Sequence, residues 1–256
     1  MNYIPGGGFE CLQFDPPFVR EAHGTKSLHF THGELQSQMC TGNPWRLEVD
    51  YTRTMMGFLL FNNNPAVIGM IGLGGGSLAK FCYRYLVHTC ITVAEINPHV
   101  VALRDTFQVP TDDERFRVVT CDGARWVHDL HSTTDVLMVD GFDARGQPAQ
   151  LCSQVFYDSC VHALSPQGLL VVNLHRDHCD YELLLERINR SFDGATLETL
   201  ATEKSNGIIF AFRDATLLQR ATNLKQSLQQ LDPQARLQLE PELSSLLWQM
   251  KRPLLP

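Results

Sequence analysis

The sequence predicts an α/β fold with a Rossmann-like, mostly parallel sheet, and three observations carry that expectation. Between residues 66 and 174, short continuous apolar runs alternate with stretches of helical periodicity. That is the pattern of βαβ units whose strands are covered on both faces. The first of these runs feeds the loop Ile71-Gly72-Leu73-Gly74-Gly75-Gly76-Ser77, which opens a helix. Finally, two β-like stretches at 196–201 and 207–213 lie close enough to pair antiparallel, so the sheet closes at seven strands with a reversal at one edge.

Taken in order, residues 26–39 alternate around a polar turn containing Gly33 and read as a β-hairpin, so the first 48 residues form a small β appendage. Residues 50–61 are an amphipathic helix, with Tyr51, Met55, Phe58 and Leu59 at i, i+4, i+7 and i+8. Core packing is the expectation for Tyr51 and Met55, while Arg53 lies off the stripe and can reach a cleft or water. Asn62-Asn63-Asn64-Pro65 ends this helix because proline cannot continue the ladder. Strands follow at 66–71, 90–96, 116–120, 136–139 and 169–174, with helices at 78–87, 99–107, 124–130, 154–164 and 181–192. Right-handed crossovers place those helices on both faces. From Ala215 the chain is rich in Leu and Gln and reads as helical, with a break at Asp232-Pro233. The expected division is therefore 1–48, 49–214 and 215–256.

The bulk numbers narrow the partners. At 256 residues the chain can bury a large core, and 44% hydrophobic against 19% charged residues excludes a disordered polymer. A net charge of −7 offers no positive field for nucleic acid, and no stretch approaches the roughly 20 apolar residues of a membrane span. A soluble cytoplasmic protein is expected, and its acidity suits a cationic ligand such as a polyamine or a basic peptide. The eight cysteines show no CxxC pair and read as reduced, mostly buried thiols. His128/His131 and His175/His178 lack the acids or thiols that would complete a ligand set, so no metal site is expected.

The chemistry-bearing residues fall at the predicted strand tips. The glycines of the 72–77 loop (Gly72, Gly74, Gly75 and Gly76) let a nucleoside approach a helix N-terminus without meeting a Cβ, although NAD enzymes use similar loops. Glu95 ends the next strand about 20 residues on, where a carboxylate can accept ribose hydroxyls. Asp122, in Cys121-Asp122-Gly123, ends the third and can receive an adenine amino group. Three such features on consecutive tips point to a nucleoside site. The fourth strand runs into Asp140-Gly141-Phe142-Asp143, where two carboxylates can converge on one ligand or simply cap the turn. Together with the reversed final strand, these features predict the class I S-adenosylmethionine-dependent methyltransferase-like fold.

From the hairpin at Ser27 to about Arg213 the chain resembles the spermidine synthase family. The resemblance rests on Gly33 and Gln36, Asp50-Tyr51, the glycine loop, Glu95-Ile96, Asp122-Gly123, Asp140/Asp143 and Phe156-Tyr157. It implies a homodimeric enzyme that moves an aminopropyl group from decarboxylated S-adenosylmethionine to a small amine. It assigns Glu95 to the ribose, Asp122 and Gly123 to adenine, Gln36 to the donor site, Asp140 to catalysis, Asp143 to the acceptor amine and Tyr51 to the acceptor site. Two departures stand out. Where the family's loop carries an aspartate for the donor's amine this chain has Gly75, and Glu203-Lys204-Ser205-Asn206 carries no tyrosine. The GLGGGSL loop with Asn173-Leu174-His175-Arg176-Asp177 is also similar to spermidine-synthase-like methyltransferases. Methyl transfer from intact S-adenosylmethionine is therefore an alternative, and a catalytically silent dimeric binding module is a second.

Overall fold

The computed structural model describes residues 14–32, 35–143, 146–201, 205–219 and 224–250. The chain begins with three antiparallel strands, β1 (Phe18–Ala22), β2 (Thr25–His29) and β3 (Ser37–Cys40), in the order β1-β2-β3. The appendage thus has one strand more than the sequence suggests. β1 reads FVREA, with charges that hide its apolar alternation, because Arg20 and Glu21 sit exposed on an edge strand. His23 and Gly24, both at positive φ, make the tight turn into β2. The expected turn at Gly33 lies outside the described residues.

Next comes α1 (Asp50–Met55), which tightens into a buried 3₁₀ segment, Met56–Leu60, rather than continuing as one helix to residue 61. Gly57 explains the close fit, since a Cβ there would lie 2.8 Å from both Leu246 and Phe210. The main sheet is built from β4 (Val67–Ile71), β5 (Cys90–Glu95), β6 (Phe116–Thr120), β7 (Thr134–Val139), β8 (Leu164–His175), β9 (Thr196–Leu200) and β10 (Asn206–Phe212). Its order is β6-β5-β4-β7-β8-β10-β9; all neighbours are parallel except β10, which runs antiparallel to both β8 and β9. The seven-stranded class I fold with a reversed edge is the one the sequence predicts.

The crossover helices are α2 (Ser77–Tyr85), α3 (Pro98–Val101), α4 (Gly123–His128), α5 (Gln154–Ala163) and α6 (Tyr181–Ser191). α3 stops after one turn instead of reaching residue 107, and irregular turns continue to Gln108, which has positive φ. β8 starts directly after α5, five residues before the expected strand, and Thr134/Val136 absorb the irregularity in its pairing with β7. Two hydrophobic clusters cover the faces, one under α4, α5 and α6 and the other under the appendage and α1.

The tail supplies α7 (Thr216–Gln219), α8 (Leu224–Gln230) and α9 (Pro233–Met250), with the break at Asp232-Pro233 as expected. Asp232 caps α9 by accepting the amides of Gln234 and Ala235. Ala235, Leu239, Leu243 and Leu246 then bury one stripe of α9 in the same cluster as α1. Of the seven described cysteines only Cys82, Cys152 and Cys160 are buried, fewer than expected. Cys90 begins β5 and Cys179 sits in a turn, both exposed. No helix among the described residues is long and apolar enough to cross a membrane.

Candidate active site

Pairing register brings the strand tips together. Ile71 pairs with Ala94 on one side and with Val139 on the other, so the residues that follow β4, β5 and β7 emerge side by side. The order of strand addition reverses at β4, with β5 and β6 on one side and β7 and β8 on the other, and open α/β sheets form their ligand crevice at such a point. A cleft of about 670 Å³ opens there, lined by the predicted Gln36, Tyr51, Gly72, Gly74, Glu95, Asp122, Gly123, Asp140 and Asp143.

The glycine loop divides by function. Gly72 has φ +92°, and a Cβ on it would lie 2.2 Å from the Asp140 carbonyl oxygen, so only glycine lets the loop lean on the end of β7. Gly74 lines the cleft. Gly75 and Gly76, which the sequence also assigns to the donor, are not among the residues that line it. A Cβ on Gly75 would meet Ser37 Oγ at 2.6 Å and Phe107 at 2.9 Å, and one on Gly76 would meet Val109 at 2.5 Å. These two glycines serve packing against the appendage and the 107–109 turn.

Glu95 is buried behind the loop and organises it: one carboxylate oxygen accepts the Leu73 amide at 2.8 Å and the other the Asn97 amide at 2.8 Å. Burial pushes its carboxyl above the usual range, opposed by those backbone amides. Asp122 caps α4, with Oδ1 accepting the amides of Ala124 and Arg125 at 2.8 and 3.2 Å, and also borders the cleft.

Asp140 sits at the cleft floor between two donors. Tyr51 donates its hydroxyl to Oδ2 at 3.1 Å and Asn173 donates its amide to Oδ1 at 2.9 Å. Burial raises the Asp140 carboxyl, against the lowering influence of Asn173, Tyr51 and the nearby His175. Tyr51 is driven well above its ordinary value, first by burial and then by the Asp140 charge, so it stays a donor. Tyr51 packs against the core cluster, as its place on the helical stripe predicts, while its hydroxyl reaches into the cleft to Asp140. Asp143 is exposed at the rim, where its backbone pairs with Gly146. Phe142 lies between the two aspartates and stacks on His175 at 4.3 Å between ring centroids.

Arg53 does not reach the cleft. Its Nε donates to Glu242 at 2.6 Å and its Nη1 to the Leu47 carbonyl at 2.8 Å, tying α1 to α9. Asn173, which the sequence offers only within Asn173-Leu174-His175-Arg176-Asp177, is brought by the fold onto Asp140. Its signal was a lone polar residue inside the apolar run of β8.

Comparison with known proteins bears on the family and the fold. The family model for the spermine/spermidine synthase domain matches residues 48–192. A polyamine aminopropyltransferase from Chromobacterium violaceum is 36% identical over 215 residues, 84% of this chain and 82% of that protein. One from Neisseria meningitidis is 36% identical over 209 residues, 81% and 80% of the two chains. In fold, the chain is similar to a spermidine synthase solved with the transition-state analogue AdoDATO (TM-score 0.65, 16% identity, 89% and 88% of the two chains). It is also similar to human methyltransferase-like protein 13 with SAH (TM-score 0.57, 21% identity, 76% and 92%). The domain match spans more than half the chain and includes every strand-tip residue of the cleft, so this protein belongs to the spermine/spermidine synthase family.

Proposed function

We propose that this protein is a transferase that moves an aminopropyl group from decarboxylated S-adenosylmethionine to an amine acceptor. The observation that carries the reading is the charge of the cleft: Asp15, Glu95, Asp122, Asp140 and Asp143 border it, with no Lys, Arg or His among the described lining residues. The decarboxylated donor is wholly cationic, as is a polyamine, and both are attracted to such a wall. An intact donor brings a carboxylate that finds no cationic side chain there, and Arg53, two residues from Tyr51 on α1, is engaged by Glu242.

In the transfer, the acceptor nitrogen's lone pair attacks the methylene carbon bonded to the sulfonium. The carbon–sulfur bond breaks with its electron pair remaining on sulfur, and methylthioadenosine leaves. The new ammonium then loses a proton. Asp140 is placed to orient the amine and take that proton, because Tyr51 and Asn173 hold its carboxylate and burial raises its basicity. Asp143 at the rim would hold the acceptor's distal ammonium. Glu95 and Asp122 would take ribose and adenine, with Gln36 closing the donor site from the appendage. Most of the acceleration in this scheme is alignment and electrostatics. The reading includes a homodimer in the cytoplasm, tested by light scattering and by fractionation.

The deciding experiment incubates the protein with a diamine and each donor in turn, and separates the nucleoside products. Methylthioadenosine from the decarboxylated donor is the expected result. S-adenosylhomocysteine from the intact donor would make the protein a methyltransferase, and neither product across a panel of amines would make it a binding module.

A further inference from the structure

The carboxylate at the cleft floor is the end of a polar chain that runs through the sheet. Asn173 on β8 is 1% exposed and follows the apolar run Leu169–Val172, and Asn206, 8% exposed, opens β10, whose other side chains are apolar. Asn206 Nδ2 donates to Asn173 Oδ1 at 2.9 Å, and Ser205 Oγ lies 2.9 Å from Asn206 Oδ1. The antiparallel register makes this possible: Asn206 pairs with His175, which puts it diagonally across from Asn173.

Direction in such a chain is set at its ends. An ionised Asp140 can only accept, so Asn173 must turn its NH₂ toward Asp140 Oδ1, which leaves the Asn173 carbonyl oxygen requiring a donor. Asn206 supplies it, and the Ser205 hydroxyl supplies the donor that Asn206 in turn needs. Each link polarises the next toward the carboxylate. Resting on the transfer reading above, we propose that Asn173 and Asn206 are positioning residues: Asn206 locks the amide orientation of Asn173, and Asn173 locks Asp140 in the accepting state. Apolar side chains at these two positions would fill the sheet more cheaply, since a buried amide must have every partner in place.

The charged and titratable groups facing Asp140 are Tyr51 from α1, with Asp50 behind it, His175 from β8, and Asp143 on its own turn. Asn173 opposes the burial that raises the Asp140 carboxyl, so loosening Asn173 moves that titration to higher pH. Activity that needs the carboxylate then loses its acid limb at a higher pH than in the wild type.

The test uses Asn173→Ala, Asn206→Ala, their double variant, and Asn206→Asp, which keeps the shape but donates nothing when ionised. Turnover should fall about 100-fold in Asn173→Ala and about 10-fold in either Asn206 variant, as misplacement of a catalytic group does, with donor KM nearly unchanged. The double variant should be no slower than Asn173→Ala alone, because the two residues act through one path. The acid limb should move up in all four. Additive losses with an unmoved pH profile would reduce the pair to ordinary packing and overturn the proposal. A second readout needs no turnover: the ¹³C resonance of the Asp140 carboxyl, identified by its absence in Asp140→Asn, is titrated directly. Should the wild type form neither nucleoside product, the transfer reading fails and this titration alone decides. An upward shift in Asn206→Ala, which adds no charge of its own, supports the relay, and an unshifted carboxyl refutes it.

Discussion

Replacing Asp140 by Asn separates what this residue does for the fold from what it does for the reaction, and the two effects have opposite signs. Both hydrogen bonds survive the change in shape, since Asn173 can still donate to the new carbonyl oxygen and the new NH₂ can donate to the Tyr51 hydroxyl. Losing the charge weakens two bonds at 2.9 and 3.1 Å by about 1 kcal/mol each, the difference between charge-assisted and neutral pairs. Removing the charge also relieves a desolvation penalty of several kcal/mol for an ion deep in a protein. The direction of the carboxyl's shift says which is larger: burial outweighs the bonds. A carboxyl raised in the folded state binds protons more tightly there than in the unfolded chain. Its burden is therefore absent below the unfolded value and grows as pH rises through the folded one. Asp140→Asn is thus expected to be stabilised at pH 7 by about 1 kcal/mol, or about 2–4 °C in Tm, the gain vanishing toward pH 4. Turnover should fall roughly 100-fold or more with donor affinity near wild type. Differential scanning calorimetry at pH 7 and pH 4, calorimetric titration with the donor, and the methylthioadenosine assay read these terms separately. A clear drop in Tm at pH 7 would refute the claim that a charge is held at a cost, and retained turnover at saturating substrate would reduce Asp140 to a turn residue.

Three further outcomes follow from the same geometry. Glu95→Gln keeps an acceptor for one of the Leu73 and Asn97 amides but turns an NH₂ toward the other, so donor affinity should weaken by about 1–3 kcal/mol with a fall in Tm; unchanged donor titration would remove Glu95 from the site. Lys80 is fully buried with its ammonium on the Phe107 carbonyl, and burial lowers its pKa from 10.5 to about 8. Because the unfolded chain holds that proton up to higher pH, stability due to this group should rise between pH 8 and 10.5 by up to about 3 kcal/mol. Lys80→Met should lack that rise in parallel melts, and identical pH dependence in the two proteins would contradict the burial cost. Gly75→Asp should lower stability by about 1–3 kcal/mol, since its Cβ would crowd Ser37 and Phe107, and Ser37→Gly should recover part of the loss. Improved binding of the decarboxylated donor by Gly75→Asp alone, at unchanged Tm, would show that the loop opens toward the cleft after all.

What the sequence discloses here depends on how local the physics is. The strands of the parallel sheet are legible because burial on both faces leaves continuous apolar runs, and the acids at 95, 122 and 140 are legible because each ends such a run. β1 is not, since an edge strand tolerates Arg20 and Glu21 and so loses the alternation that marks a strand. The glycine loop shows the limit more sharply. All four glycines look alike in the chain, yet Gly72 is required by a carbonyl from β7 and Gly75 by a serine from the appendage, and only the assembled fold distinguishes them. Arg53 and Tyr51 are two residues apart on one helix and face opposite tasks, because the partner of one, Glu242, is 189 positions away and that of the other, Asp140, is 89 away. Asn173 carries the same lesson into the chemistry. Its value lies wholly in the adjacency of β7, β8 and a reversed β10, and no window of sequence contains all three. The net charge of −7 gives a sign without a location, and it is the convergence of strand tips that turns scattered acids into a cleft suited to a polycation. A relative that kept the acids but placed a lysine or arginine on the cleft wall would share this fold and this overall charge, yet would suit a donor that keeps its carboxylate. For this chain the proposed reaction is therefore read from the charge of the cleft wall, with the glycine loop reporting the fold.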